Sequence, residues 1–173
     1  MADGTFAGLL IVLGLLDMGV NHCSSETGCL GKTQVTPRFS IAAGEVLPRR
    51  APITQEVFLR YDLGHRNGPF GHAVGFSVGG GGEVWAGYGQ TYHKKIGNSP
   101  IFAELHAMAR LYAHNSGYQL GGPIEFRSGI EFGYENREGW RYGLSYDHRS
   151  NTGIYKANPG IETVMFRVSI PIK

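Results

Sequence analysis

The chain has 173 residues, which is enough for one domain with its own core. Charged residues make up only 17% of it and the formal net charge is +2. Because Lys and Arg form no cluster, the sequence excludes a nucleic-acid-binding role. No apolar run reaches the roughly 18 residues that a transmembrane helix requires.

The first apolar segment runs from Phe6 to Leu16. It is long enough for one membrane strand or for the core of a signal peptide. The residues before it contain Asp3 instead of the basic residues that begin a signal peptide. We therefore interpret the chain as a mature exported protein with an added start Met, and predict a first strand over 5–16. A native cytoplasmic N-terminus is the alternative.

Two cysteines, Cys23 and Cys29, follow in a polar segment. In an exported protein this arrangement favours a disulfide that closes a small loop, and two free thiols are the alternative. His22 is the only potential zinc ligand beside them, which argues against a metal site. We predict that 17–52 forms a long outer loop, within which 38–47 is either an extra strand or a flap of the loop. Prolines around that segment favour the flap.

The remainder of the chain alternates polar and apolar residues in segments separated by Gly, Pro and Asn, which is typical of strands. One face of these segments is aliphatic and aromatic, and the other carries Arg and Glu in near balance. A soluble barrel would bury the apolar face, whereas a membrane barrel would turn it to lipid and pair the charges inside. We predict an all-β fold for 1–173, an eight-stranded antiparallel outer-membrane β-barrel with a polar interior. After 5–16, the predicted strands are 53–63, 69–79, 82–94, 100–114, 124–136, 139–149 and 161–172.

The lengths of the predicted connections also suit a membrane barrel. If both termini face the periplasm, the turns 64–68, 95–99 and 136–138 lie on the periplasmic side, where such barrels have short turns. The longer connections 17–52, 115–123 and 150–160 would then lie on the outer side. The connection lengths therefore support the interpretation as a membrane barrel with its apolar face outward.

Three polar residues interrupt the apolar faces of the last two strands: His148, Ser150 and Glu162. In an antiparallel pair His148 would lie roughly opposite Glu162, with Ser150 on the same side of the sheet. A hydroxyl, an imidazole and a carboxylate so placed could act as nucleophile, base and orienting acid. A carboxylate on a lipid-facing surface is costly unless it has a partner, and His148 is the available partner.

The sequence Tyr146-Asp147-His148-Arg149-Ser150-Asn151-Thr152-Gly153, followed by Asn158-Pro159-Gly160-Ile161-Glu162, resembles the lipid A 3-O-deacylase (PagL) family of outer-membrane esterases. The resemblance is at the level of the motif over 140–172, of strand order and turn length over 53–139, and weak over 1–52. Ser150 and Glu162 are twelve residues apart, as in the family. Thr152 departs from the family, which usually has Ala there.

The resemblance implies an esterase that needs no metal or cofactor and removes the 3-O-linked 3-hydroxyacyl chain of lipid A. Its expected surroundings are outer-membrane lipid, its substrate is lipid A or lipopolysaccharide, and a second copy of the chain is a candidate partner in a homodimer. A non-catalytic barrel acting as a structural or interaction subunit is one alternative, and a soluble barrel binding a small lipid is another. The implied roles are Ser150 as nucleophile, His148 as general base, Glu162 as orienting acid, the Gly153 amide and the Asn158 side chain as oxyanion hole, and Asn151 as a residue that shapes the turn.

Overall fold

A computed structural model describes residues 4–48, 53–113 and 120–173. The described residues form one α-helix and nine β-strands. These elements are α1 (Thr5–Asn21), β1 (Lys32–Gln34), β2 (Arg38–Pro48), β3 (Thr54–Asn67), β4 (Phe70–Gly79), β5 (Val84–Lys95), β6 (Ile101–Ala113), β7 (Ile124–Glu135), β8 (Arg141–Ser150) and β9 (Ile161–Pro171).

Strands β2 to β9 form a closed antiparallel barrel. Each of them pairs with the next along the chain, and β9 pairs with β2 to complete the ring. Closure leaves no unpaired strand edge, which is what a sheet in a membrane requires. The short β1 adds only to one end of β3, where it pairs with 65–67. The prediction of an eight-stranded antiparallel outer-membrane barrel is confirmed.

The barrel interior is polar and its charges are paired. Arg127 contacts both Glu56 and Asp147, and Arg167 contacts both Glu104 and Glu131. Buried charges are tolerated only when they are paired and hydrogen-bonded in this way. An apolar cluster fills space among them, formed by Ala42, Phe58, Ala73, Trp85, Met108, Tyr112 and Met165. The interior therefore holds a packed ionic network, as the balance of Arg and Glu predicted.

The outer surface is apolar. Phe166 on β9 is 55% exposed, whereas its neighbour Arg167 is 4% exposed and points inward. The same alternation exposes Leu144 on β8 and Phe132 on β7. A barrel with charges inside and aliphatic and aromatic side chains outside suits a lipid environment, and the soluble-barrel alternative is therefore wrong.

The segment predicted as the first strand, 5–16, is instead part of helix α1. The apolar residues of this helix are spread around all its faces. A short apolar run without alternation does not distinguish a strand from a helix. Leu10 is buried against the outside of the barrel, while Leu16 and Val20 remain exposed. An apolar helix exposed on this scale suits a lipid environment. Among the described residues, no helix is long and apolar enough to cross a membrane.

Segment 38–47 belongs to β2, so the preference for a flap was wrong, as was the long outer loop 17–52. Gly44 in β2 lies so close to β9 that a Cβ there would be 1.9 Å from the Val164 carbonyl oxygen. Segment 38–47 is a strand because it pairs along its length with β3 and β9, and β2 takes the place of 5–16 among the eight barrel strands. A disulfide joins Cys23 and Cys29. The segment that holds it connects α1 to β1 at the end of the barrel with the short turns.

The connections differ in length between the two ends of the barrel. At one end lie the turns 68–69, 96–100 and 136–140. At the other end lie the short turn 80–83 and the longer connection 151–160, which joins β8 to β9, and the predicted loop 115–123 lies largely outside the described residues. In outer-membrane barrels the short turns face the periplasm, so 151–160 lies on the outer side.

Candidate active site

Strand β8 positions the predicted nucleophile and base on one face. Because side chains alternate along a strand, His148 and Ser150 both face outward. The residues between and before them face the interior, where Asp147 pairs with Arg127 and Arg149 pairs with Glu56. These interior ion pairs hold β8 with its outward side chains toward the lipid side.

Strand β9 brings the carboxylate to the imidazole. His148 and Glu162 are directly opposite in the antiparallel register, and Nδ1 of His148 lies 2.8 Å from Oε1 of Glu162. An ionised carboxylate can only accept a hydrogen bond, so Nδ1 carries the proton of the neutral ring. Nε2 is then the basic nitrogen, as general-base chemistry requires.

The site is shielded even though its strands face outward. His148 is 2% exposed and Ser150 is 3% exposed. Gly160 lies over the imidazole, where a Cβ would be 3.2 Å from Cε1 of His148, and its φ of 62° also favours glycine. Gly160 belongs to the motif, but its contact with the imidazole has no signal in the sequence. The turn signal Asn158-Pro159-Gly160 marked the turn, but only the folded chain shows that it covers the ring.

Asn151 organises the connection after β8. Its side chain is fully buried, and Nδ2 donates to the carbonyls of Leu120 at 2.7 Å and Ala157 at 2.6 Å. Its Oδ1 accepts from the amide of Gly153 at 2.9 Å. One side chain thus ties together 151–160 and the segment before β7.

The two residues expected in the oxyanion hole differ in what they already contact. Oδ1 of Asn158 accepts from the amide of Asn151 at 3.1 Å, which leaves the side-chain nitrogen as its donating end. The Gly153 amide donates to Asn151, so it can serve an oxyanion only by exchanging that bond. Of the two expected donors, the Gly153 amide is therefore engaged within the connection, and Asn158 is tied to the amide of Asn151 by its oxygen.

Thr152 has a backbone conformation that is unusual for its type. Its φ of 52° lies in the left-handed region, which a β-branched residue rarely adopts. Its amide lies 3.4 Å from Oγ of Ser150, and its own hydroxyl donates to the carbonyl of Asn151 at 2.8 Å. Strained residues of this kind are held in place by their surroundings and cluster at functional sites.

An apolar cavity of about 400 Å³ adjoins the three residues His148, Ser150 and Thr152. Strands β5, β6 and β7 form its floor, and the first turns of α1 form a wall. Cavities of this size are typical of small-molecule sites. This wall was not predictable from the sequence pattern, which indicated a barrel strand over 5–16 where the structure has α1. Within residues 4–48, 53–113 and 120–173, no cluster of three or more His, Cys, Asp or Glu side chains is placed to hold a metal ion.

Comparisons with known proteins relate to both the fold and the site. A family model described as "Lipid A 3-O-deacylase (PagL)" matches residues 53–171, which include the whole motif from His148 to Glu162. The crystal structure of the outer membrane enzyme PagL aligns with a TM-score of 0.63 at 21% identity, covering 78% of this chain and 99% of that chain. No curated protein sequence matches the chain significantly.

Other solved barrels are similar in shape. A de novo designed transmembrane β-barrel aligns with a TM-score of 0.60 at 11% identity, covering 81% of this chain and 98% of that chain. Neisserial surface protein A aligns with a TM-score of 0.55 at 11% identity, covering 82% of this chain and 99% of that chain. At such identities the likeness shows the barrel fold, while the family match rests on residues 53–171.

Proposed function

The chain belongs to the lipid A 3-O-deacylase (PagL) family, and we propose that it hydrolyses the ester of the 3-O-linked 3-hydroxyacyl chain of lipid A by a Ser-His-Glu mechanism. The observation that carries this proposal is the 2.8 Å contact between His148 on β8 and Glu162 on β9. Both residues lie on the outward face of the sheet, as does Ser150. A carboxylate on the outer wall of a membrane barrel is costly without a partner, and the partner that this one has, His148, is itself a candidate general base.

In the first half of the reaction, Oγ of Ser150 attacks the ester carbonyl while Nε2 of His148 takes the hydroxyl proton. Glu162 stabilises the imidazolium through Nδ1. The tetrahedral intermediate collapses when the bond between the acyl carbon and the 3-oxygen of the sugar breaks. The imidazolium gives its proton to that oxygen, which leaves as the 3-hydroxyl. The acyl chain remains on Ser150 as an ester.

In the second half, a water molecule attacks the acyl-enzyme and His148 again takes the proton. The second tetrahedral intermediate releases the 3-hydroxy fatty acid, and Ser150 regains its proton from the imidazolium. The negative charge on each intermediate is stabilised by hydrogen-bond donors, for which we propose the Asn158 side chain, whose oxygen already accepts from the amide next to Ser150. The Gly153 amide joins it after leaving Asn151.

Substrate reaches the site from the side. The outward faces of β8 and β9 contact lipid, and the connection 151–160 places the site toward the outer side of the barrel. Lipid A would therefore approach within the outer leaflet without entering the polar interior. The homodimer stays a prediction and takes part in no step of this mechanism.

The direct test is deacylation of purified lipopolysaccharide, followed by mass spectrometry of lipid A. We expect the wild-type protein to remove one 3-hydroxyacyl chain and Ser150→Ala to lose activity by several powers of ten, on the order of triad-nucleophile losses. Ser145→Ala is the matched control, since Ser145 lies on the same strand but is buried within the barrel. It should retain activity.

Two outcomes would count against the proposal. Near-normal activity of folded Ser150→Ala would remove Ser150 as the nucleophile. A wild-type barrel that leaves lipid A intact in a suitable membrane would favour the alternative of a non-catalytic structural or interaction subunit. In each case, a difference in gel migration between unheated and heated samples verifies that the barrel is folded.

A further inference from the structure

We propose that Glu56 on β3 is a positioning residue for the reaction, because it braces strand β8 from across the barrel lumen. It belongs to a chain of four buried side chains, Asp147–Arg127–Glu56–Arg149, which we call the strut. The strut holds β8 at the two residues on either side of His148. The inference rests on the proposed function for the reaction that it serves, and it adds a residue far from the motif of the last two strands.

Glu56 reaches its partners across the lumen and not along the wall. In the ring formed by β2 to β9, three strands separate β3 from β7 in either direction, so Glu56 and Arg127 start from opposite walls. Oε1 of Glu56 accepts a hydrogen bond from Nη1 of Arg127 at 2.8 Å. The residues opposite Glu56 on the two neighbouring strands are Gly44 and Gly79, which place no side chain beside it.

The two arginines of the strut need a carboxylate between them. Arg127 on β7 and Arg149 on β8 are directly opposite in the register, and like charges in such a position repel each other. Oε1 of Glu56 binds Arg127 and Oε2 binds Arg149, so one carboxylate neutralises the repulsion. Arg127 also binds Asp147, through Nε at 3.2 Å. All four side chains are buried, and charges in such a place are tolerated only when each has a partner.

The strut acts on the site through the alternation of β8. Asp147 and Arg149 point inward, while His148 and Ser150 point outward. A rotation or slip of the strand at 147–149 would therefore carry the imidazole and the hydroxyl with it. Because the strut holds the inward pair at two points, it fixes the direction of both outward side chains. A displacement of about 1 Å at reacting groups can lower a rate on the order of 100-fold.

Glu56→Gln tests the proposal, because it keeps the size of the side chain and removes the charge that both arginines share. The assay is deacylation of purified lipopolysaccharide over a range of concentrations. We expect kcat to fall roughly 10- to 100-fold, since the orientation of the reacting groups is lost. KM should stay within about twofold of the wild type, because lipid A approaches the outer wall, which the substitution does not touch.

Glu104→Gln is the matched control. Glu104 is also 2% exposed and also binds two arginines, Arg60 and Arg167, but neither of them flanks His148. The control should lower the urea midpoint of folding in vesicles about as much as Glu56→Gln does, with kcat within about twofold of the wild type. Equal kcat for Glu56→Gln and the wild type, or equal falls in the two variants, would contradict the proposal.

A double variant separates orientation from stability. Glu56→Gln leaves one excess positive charge in the strut, and adding Arg149→Gln restores neutrality. We expect the urea midpoint to recover toward that of the wild type, because no buried charge is then left without a partner. The value of kcat should remain roughly tenfold low or lower, because β8 is still not braced at 149. Recovery of kcat together with the midpoint would overturn the proposal, since activity would then follow stability alone.

A further measurement requires no catalysis and reports on His148 directly. The proton on Nδ1 of His148 is hydrogen-bonded to Glu162 at 2.8 Å, and its NMR signal in protein with isotope-labelled histidine is identified by its loss in His148→Gln. We expect this signal to shift or broaden in Glu56→Gln and to stay unchanged in Glu104→Gln. An unchanged signal in folded Glu56→Gln would overturn the strut. A changed signal, with a wild-type protein that leaves lipid A intact, would keep the strut and reject the esterase.

Discussion

A single contact at the residue scale decides which nitrogen of His148 can act as a base. Because Nδ1 donates to Glu162, Nε2 is the ring nitrogen left with its lone pair. Glu162 itself does not take the proton, and its side chain is 18% exposed whereas that of His148 is 2% exposed. In the mechanism we propose, the carboxylate positions the imidazole, and the imidazole moves the proton.

This division of roles predicts unequal effects of two substitutions. His148→Ala should reduce the deacylation rate by about as much as Ser150→Ala, because the base is lost. Glu162→Ala should be roughly 10- to 100-fold less damaging, because the base remains and only its orientation is lost. The measurement is the initial rate of lipid A deacylation by the three variants in the same vesicles.

Glu162→Gln supplies the control, since it preserves size and can still accept a hydrogen bond through its amide oxygen. We expect its activity to lie between that of Glu162→Ala and that of the wild type. If Glu162→Ala and the wild type deacylate lipid A equally fast, the carboxylate has no part in the site.

At the scale of one element, the buried side chain of Asn151 makes three of the hydrogen bonds that hold the connection 151–160. Asn151→Ala would leave the carbonyls of Leu120 and Ala157 and the amide of Gly153 without their partner. Each buried polar group left unsatisfied costs about 1–3 kcal/mol. The connection should then open locally while the barrel strands remain paired.

Trypsin cleavage after Lys156, an exposed residue of this connection, measures that opening. We expect Asn151→Ala to be cleaved there at least tenfold faster than the wild type, because cleavage follows the population of the open form. Asn151→Asp retains the acceptor for Gly153 but loses both donors, and should be intermediate. Unchanged cleavage in both variants would show that Asn151 does not hold the connection.

At the scale of the whole molecule, the stability of the folded barrel depends on which side chains of its strands face lipid. Phe166 lies near the middle of β9 and is exposed, while the neighbouring Arg167 pairs with Glu104 at 2.8 Å inside the barrel. Phe166→Arg would place a charge in hydrocarbon and should destabilise the folded barrel by roughly 2–4 kcal/mol. Urea titration of folding in lipid vesicles measures this difference.

Phe166→Leu serves as the control, because it retains an apolar side chain at the same place and should cost much less. Equal urea midpoints for Phe166→Arg and Phe166→Leu would contradict a lipid-facing position for this residue. A loss confined to the arginine variant identifies the desolvated charge, and not lost packing, as the cause.

Much of this protein follows from local pattern alone. Alternation of Phe166 with Arg167, and of Leu144 with Ser145, is enough to assign strands and their two faces, because side chains in a strand alternate with period two. The same alternation puts His148 and Ser150 on one face, and an antiparallel neighbour then brings Glu162 opposite. The barrel type, its polar interior and the meeting of His148 with Glu162 were thus predictable from the sequence.

Tertiary structure decided the features that depend on contacts between distant segments. The run 5–16 has no period, so only its packing against Phe70 and Leu105 identifies it as a helix on the barrel's outer surface. The segment 38–47 is a strand because β9 and β3 pair with it. The prolines around it had favoured a flap, since they report only local backbone preference. The cavity beside Ser150 is formed where α1 meets the barrel. Local periodicity encodes which way a side chain faces, whereas the partner of an apolar segment is settled by long-range packing.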